Sequence, residues 1–132
     1  LPPAYQCATP FGGNTGGTNV AFWPIANNAG LGFAQYDSWL TAGVTDGDGG
    51  GALGNIGIDF ASWNAGGSLE ADDGTWFCIP DSPQNFPDAA GHVLIMQLSV
   101  TYGETIQGTV QLQGKDASGV TTTSDEPNRE RS

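Results

Sequence analysis

Short apolar runs separated by glycine-rich turns make up most of the chain, and several of them alternate apolar and polar residues with the period of a β-strand. In residues 36–45, Leu40 and its alternate neighbours face one way, while Asp37 and Trp39 face the other. Residues 105–113 alternate apolar residues such as Ile106 with threonine and glutamine. This second pattern predicts a half-buried strand with a solvated face.

The strongest predicted strand is residues 92–101. Its run Val93-Leu94-Ile95-Met96 has no polar interruption, which predicts a central strand that is covered on both faces. The remaining strands are predicted at residues 56–60, 75–80 and 120–123. Turns are predicted between them at residues 46–51, 102–104 and 115–119. Since no stretch has the 3.6-residue period of a helix, the chain is predicted to be all-β: an antiparallel β-sandwich or a jelly-roll-like domain.

The organisation predicted along the chain is an arm, a core and a tail. Residues 1–35 form a loop-rich, extended N-terminal arm with a flexible glycine-rich tract at residues 11–19. Residues 36–123 form the β-sandwich core. Residues 124–132 carry five charges in nine positions and are predicted to be a disordered tail.

Composition supports strands over helices and sets the charge of the surface. The chain has 21 Gly and 8 Pro, and charged residues make up only 13% of it, about half the usual fraction. Fourteen acidic residues face three basic ones, and residues 1–114 contain no lysine or arginine at all. Carboxylates of that segment must therefore be solvated, hydrogen-bonded to backbone N–H groups or neutralised by bound cations. Nucleic acid and anionic membranes are poor partners, because binding them needs basic side chains.

The cellular setting predicted from these features is extracellular or at a cell surface. Self-repulsion of so acidic a surface is screened in saline water. No stretch approaches the roughly 20 apolar residues that cross a membrane. The two cysteines, Cys7 and Cys78, are predicted to form a disulfide, as an even cysteine count in a secreted chain favours, although two buried thiols are the alternative.

Catalysis is not expected, and no catalytic residue is assigned. His92 is the only histidine, and the chain lacks the G-x-S-x-G turn of a serine hydrolase. Most of the carboxylates lie in glycine-rich turns, where aspartate is favoured by hydrogen bonds to its own backbone. The sequence therefore predicts a binding or structural protein, not an enzyme.

Calcium is the one cofactor that the acidic turns leave open. Asp46 and Asp48 offer two oxygen ligands on a flexible loop, and Asp72 and Asp73 offer a second pair. Calcium needs six to eight oxygens, and neither turn has the closing glutamate of a calcium-binding loop. A solvated acidic turn is the alternative at both places.

Four tryptophans in a small chain raise the prospect of carbohydrate binding, because exposed rings stack on sugar faces. Trp39 and Trp76 lie within predicted strands and are expected to fill the core. Trp23 and Trp63 lie beside loops and are the candidate stacking residues, although burial is open for them as well.

Several phrases of the sequence resemble a group of secreted β-rich domains from aquatic microbes and algae. The similar pieces are spread over most of residues 11–119: FGGNTGGTN (11–19), YDSWLTAGVTDG (36–47), IGIDFASW (56–63), DGTWFCIPD (73–81) and GTVQLQGKDASG (108–119). The resemblance implies a part of a surface or extracellular-matrix protein and brings no catalytic residues. It also implies that further strands precede the glycine-rich arm, so that another polypeptide completes an open edge.

Assembly is the function that these features favour together. Residues 20–25 are apolar, and Pro24 is expected to keep them out of a central strand. The predicted contact residues are Val20, Phe22, Trp23 and Ile25. The sequence thus predicts a non-enzymatic component of a surface filament, wall or coat that binds other chains or copies of itself. The alternative is a carbohydrate-binding module, with or without calcium.

Overall fold

The computed structural model describes residues 1–116 and 118–124, and within them the regular elements are short. Helical residues make up 13% and strand residues 16%. The helices are α1 (Trp23–Asn28) and α2 (Ala61–Asn64), with 3-10 turns at Val20–Phe22 and Ala34–Tyr36. The strands are β1 (Trp39–Leu40), β2 (Leu53–Ile56), β3 (Thr75–Cys78), β4 (Met96–Gln97), β5 (Leu112–Lys115) and β6 (Thr121–Ser124). In this part of the chain no helix is long and apolar enough to cross a membrane.

The strands pair antiparallel, as the sequence predicts, in three separate two-stranded sheets: β1 with β4, β2 with β3 and β5 with β6. Trp39 is opposite Gln97 in the first sheet, and Leu53 is opposite Cys78 in the second. The third sheet is a hairpin whose turn begins at Asp116, within the turn predicted at residues 115–119. The sheets do not close into a sandwich within the described residues.

Four of the predicted strands are much shorter in the structure or displaced along the chain. Of residues 36–45 only Trp39–Leu40 is strand, and of residues 92–101 only Met96–Gln97. Of residues 56–60 only Ile56 is strand, as the last residue of β2, and of residues 105–113 only Leu112 and Gln113, in β5.

Beyond β1 the chain turns at Gly43, whose φ of 89° is left-handed and where a Cβ would collide with the carbonyl oxygen of Gln84. The segment before β1 is bent by the 3-10 turn at Ala34–Tyr36.

The expectation of a helix-free, extended apolar segment at residues 20–25 is wrong. Asn19 caps a 3-10 turn by accepting the N–H of Ala21 at 2.9 Å, and the chain continues directly into α1. Pro24 lies in the first turn of this helix, where its missing N–H would have had no partner in any case. The proline that excludes a central strand is therefore also compatible with a helix start.

The core consists of two small clusters, and both include residues from the first 35 positions. One joins Cys7, Ala26 and Ala34, with Phe11 and Trp23 packed against them. The other is built on Leu40, Trp63 and Leu69.

The first residue also belongs to this second cluster. Leu1 packs against it, and the terminal ammonium donates to the carbonyl of Leu69 at 2.7 Å. The predicted tail, residues 124–132, lies outside the described residues apart from Ser124, the last residue of β6.

Candidate functional site

A buried carboxylate holds the N-terminal arm on the first sheet. Asp37 has no exposed surface, and its Oδ1 accepts the N–H of Cys7 at 2.7 Å while its Oδ2 accepts the N–H of Gly13 at 2.9 Å. Burial raises the pKa of Asp37, and the backbone hydrogen bonds oppose that rise. Sequence reasoning missed this role. The signal was an aspartate in a run of otherwise apolar or uncharged residues, with no basic residue to pair with it.

Further polar contacts extend this attachment to β4. Gln97 donates through Nε2 to the carbonyl of Asp37 at 2.7 Å, and the hydroxyl of Ser38 accepts the N–H of Ser99 at 3.0 Å. The backbone of Tyr5 is hydrogen-bonded to both segments: its N–H donates to the carbonyl of Ser99, and its carbonyl accepts the N–H of Ser38. The backbone of the arm is thereby hydrogen-bonded to residues next to β1 and β4.

The outer side of α1 and its preceding turn is apolar and exposed. We call Val20, Phe22 and Ile25 the arm surface; they are 62%, 49% and 52% exposed. Ala26 of the same helix is fully buried, so the helix turns Ala26 inward and Ile25 outward. Trp23, the fourth predicted contact residue, is half-buried and donates its indole N–H to the carbonyl of Thr18 at 3.1 Å.

An open aromatic groove lies beside the arm. It has a volume of about 560 Å³, and we call its lining residues the aromatic groove: Pro3, Ala4, Tyr5, Phe33, Tyr36, Ser99, Val100 and Thr101. The hydroxyl of Tyr5 accepts the N–H of Phe33 at 2.9 Å, which fixes the rim. The rings of Phe33 and Tyr36 are more than half exposed and have centroids 6.5 Å apart. None of the described residues that line the groove is charged.

The four tryptophans do not divide into two buried core residues and two exposed stacking residues. Trp63, a predicted stacking residue, is completely buried and donates its indole N–H to the carbonyl of Pro2, so it offers no face to a sugar. Trp39 is also buried, as predicted. Trp76 is half-buried and donates to the carbonyl of Thr41 at 2.7 Å. Trp23 is the one predicted stacking residue that retains some exposed surface.

The acidic turn at residues 46–51 is organised by its own backbone. Asp48 adopts a left-handed φ of 53°, and its two carboxylate oxygens accept the N–H groups of Ala52 and Leu53 at 2.6 and 2.9 Å. Asp46 accepts the side-chain amide of Gln84 at 2.8 Å. These contacts secure the start of β2.

The second predicted pair of calcium ligands lies apart from that turn. Asp72 and Asp73 lie exposed in a separate bend before β3. Across residues 1–116 and 118–124, no group of three or more His, Cys, Asp or Glu side chains is arranged to hold a metal ion.

Both cysteines are free thiols in the structure, so the predicted disulfide between Cys7 and Cys78 is not present. Cys7 is buried in the arm cluster, where its thiol points at the carbonyl of Leu31 at 3.9 Å. Cys78 is half-buried at the end of β3. Burial, assisted by the charge of Asp37, raises the pKa of Cys7.

The single histidine lies on an exposed loop. His92 donates its backbone N–H to Asp88 at 2.9 Å, and its ring is 4.0 Å from the other carboxylate oxygen of that residue.

Comparison of the chain with protein-family models, with curated proteins and with solved structures finds no match.

Proposed function

We propose that this chain is a non-enzymatic, extracellular structural domain that builds or decorates a surface assembly such as a filament, wall or coat. Its exposed apolar surface binds other protein chains or copies of itself. The antiparallel sheets become a β-sandwich when strands of a neighbour, or of adjoining polypeptide, cover them. The observation that carries the proposal is the exposure of the arm surface.

Exposed apolar side chains outnumber the buried ones. Eight apolar residues form the buried core, whereas seventeen large apolar residues of the described chain are exposed. Single exposed apolar residues are normal on monomers, but a group of them on one element indicates an interaction surface. Val20, Phe22 and Ile25 form such a group, since all three belong to one continuous turn and helix.

Charge supports an extracellular, protein-binding role. The chain has a net charge of -11, and the only described basic side chain is Lys115. Like charges oppose association of two copies except where uncharged surfaces meet. The arm surface carries no charge, so it is a place where the protein can approach a neighbour at low electrostatic cost.

The experiment is sedimentation velocity of the wild-type chain over a wide concentration range, beside a double variant Phe22→Ser/Ile25→Ser. We expect the wild type to associate with rising concentration and the variant to remain monomeric, because the exposed apolar area is removed without opening the core. A matched control is Ile79→Ser/Phe86→Ser, which removes two apolar side chains of similar exposure elsewhere.

The control variant should associate like the wild type, and all three chains should give similar melting temperatures because the changed residues are exposed. Loss of association in the control alone, or a wild type that is monomeric at every concentration, would contradict self-assembly through the arm surface.

The aromatic groove supports a second candidate, carbohydrate binding. Its exposed rings of Phe33 and Tyr36 can contact the apolar face of a sugar, while the tryptophans that suggested this function are largely buried. A glycan array followed by titration with Tyr36→Ala tests it. Tyr102→Ala is the control, because Tyr102 is fully exposed and lies outside the groove. If Tyr102→Ala reduces glycan binding as much as Tyr36→Ala does, the groove is not the binding site.

A further inference from the structure

The segment of residues 105–111 has the sequence of a strand, but it pairs with no strand among the described residues. None of its backbone groups forms a hydrogen bond with another backbone group, and none of its side chains forms one, in the part of the chain that the structure describes. A strand-like segment with free N–H and C=O groups is a template for pairing with another chain.

One face of this segment is apolar, and its middle residue lies beside Leu1. A Cβ on Gly108 would contact the side chain of Leu1 at 3.6 Å, and no other described residue lies within 4 Å of that position. Leu1 itself packs against the second core cluster. Ile106 and Val110, two residues to either side, share the face of Gly108 in an extended strand. Ile106 is still 47% exposed, so the segment covers the core incompletely.

The sequence of the segment is complementary to itself about Gly108. In an antiparallel pair centred there, Ile106 of each copy lies opposite Val110 of the partner subunit. Gln107 lies opposite Thr109 of the partner subunit, and Gly108 lies opposite its own equivalent. Directly opposed β-branched apolar residues and opposed polar residues both stabilise antiparallel pairs. A two-fold axis needs this kind of self-complementary surface.

The self-complementary sequence favours a second copy as the occupant, and charge favours the antiparallel over the parallel arrangement. Residues 105–114 carry no charge, in a chain whose first 114 residues have no basic side chain. Glu104 precedes the segment and Lys115 follows it. Antiparallel pairing about Gly108 places Glu104 opposite Leu112 of the partner subunit, three positions from Lys115 of the partner subunit, whereas parallel pairing in register places Glu104 beside Glu104 of the partner subunit. The adjacent Asp116 is occupied in its own turn, accepting the N–H groups of Ser118 and Val120.

We propose that two copies of this chain associate by antiparallel pairing of residues 105–111 about Gly108, so that each copy extends the other as a strand. The inference rests on the proposed function, since it names the contact through which assembly begins. Seven residues are fewer than the roughly 20–30 a side of a standard interface. The pair is therefore a weak, concentration-dependent contact, strengthened in an assembly by the arm surface.

The test is a set of charge substitutions measured by sedimentation equilibrium with a reducing agent present, so that the free thiols do not cross-link. Ile106→Lys should raise the dimer Kd by roughly tenfold or more, because each dimer loses two apolar cross-strand pairs. Thr109→Lys is the matched control: it adds the same charge to the same segment on the solvated face and should leave Kd within about twofold.

A double variant fixes the register. In Ile106→Lys/Val110→Glu, each introduced lysine lies opposite an introduced glutamate of the partner subunit, so association should return, whereas Val110→Glu alone should weaken it. The two positions lie about 13 Å apart within one strand, too far for an internal ion pair to explain rescue. Equal loss in Thr109→Lys and Ile106→Lys, or no rescue in the double variant, would overturn this pairing.

Amide hydrogen exchange separates failure of this pairing from failure of the proposed function. The amides of residues 105–111 should exchange rapidly in dilute protein and gain protection at high concentration. Association without such protection, abolished instead by Phe22→Ser/Ile25→Ser, would overturn the strand pairing and leave the proposed function standing. A wild type that is monomeric at all concentrations would overturn self-association by either surface.

Discussion

The buried carboxylate of Asp37 accepts the backbone N–H of Cys7 at 2.7 Å, and this contact attaches the N-terminal arm to the segment that leads into β1. The second oxygen of Asp37 accepts the N–H of Gly13, so one side chain holds both ends of the loop between them. The aromatic groove and the arm surface both depend on where this arm lies. Asp37 therefore links folding of the arm to the surfaces proposed for binding.

Replacement of Asp37 by alanine is expected to lower the free energy of unfolding by about 2–4 kcal/mol, because the buried N–H of Cys7 and the partly buried N–H of Gly13 lose their acceptor. Urea denaturation monitored by tryptophan fluorescence measures the change. Asp59→Ala is the control, since Asp59 is exposed and accepts only the N–H of Ala61. A loss in the control as large as in Asp37→Ala would contradict a special role for the buried carboxylate.

The protonation of Asp37 gives the chain a specific pH dependence. Its pKa in the folded state is raised above the ordinary 3.8 by burial, so the folded protein binds this proton more tightly than the unfolded protein does. The stability contributed by Asp37 is then fully present below about pH 3.8 and is lost as the pH rises through the raised folded pKa.

The comparison that isolates this effect is wild type against Asp37→Asn, a variant that cannot titrate there. The stability of the wild type relative to the variant should fall from pH 3 to pH 7 in urea denaturation. Asp88 and Asp116 act in the opposite direction, since hydrogen bonds lower their pKa, but they are the same in both proteins. A relative stability that rises with pH would mean that the hydrogen bonds from Cys7 and Gly13 outweigh burial.

Trp63 is expected to be a stability residue without a role in ligand binding. Trp63→Ala should cost about 3–5 kcal/mol, as removal of a fully buried aromatic ring does, whereas Trp23→Ala should cost less because Trp23 is half-buried. Thermal melts of both variants test the order. In a carbohydrate assay, Trp63→Phe keeps the core filled and should bind as the wild type does; a loss of binding at unchanged stability would restore Trp63 as a contact residue.

Thiol chemistry distinguishes the free cysteines of the structure from the disulfide predicted by the sequence. In the native protein Cys78 should react with a disulfide reagent faster than Cys7, because Cys7 is more buried and its pKa is raised. After unfolding in denaturant, two thiols per chain should react. Cys78→Ser should remove the faster native reaction. A count of zero thiols in denaturant without reductant would establish the Cys7–Cys78 disulfide.

Calcium is expected to leave the melting temperature unchanged. Both oxygens of Asp48 already accept backbone N–H groups, and Asp46 accepts the amide of Gln84. A ligand that binds only the folded protein must raise its melting temperature, so melts with excess calcium and with a chelator decide the question. A difference of several degrees that Asp46→Asn abolishes and Asp72→Asn retains would place a calcium site at this turn.

The candidate surfaces were predictable where they depend on local sequence alone. The apolar residues 20–25 indicated a contact surface, and Val20, Phe22 and Ile25 are exposed in the structure. Their conformation was not predictable from Pro24, because a proline excludes a central strand and a helix interior but is compatible with a helix start. The aromatic groove was not predictable either, since Tyr5, Phe33 and Ser99 are distant in sequence and meet only through the folded arm.

The sequence by itself determined the strand-and-turn character of the chain, the antiparallel pairing and the hairpin turn at Asp116, because alternation and turn chemistry act between near neighbours. It also determined the charge of the surface. Only the tertiary structure decided that Trp63 is buried, that Asp37 holds the arm and that residues 105–111 have no partner within the described chain. Those outcomes depend on which distant segments meet, and alternation specifies the face of a strand without specifying its neighbour.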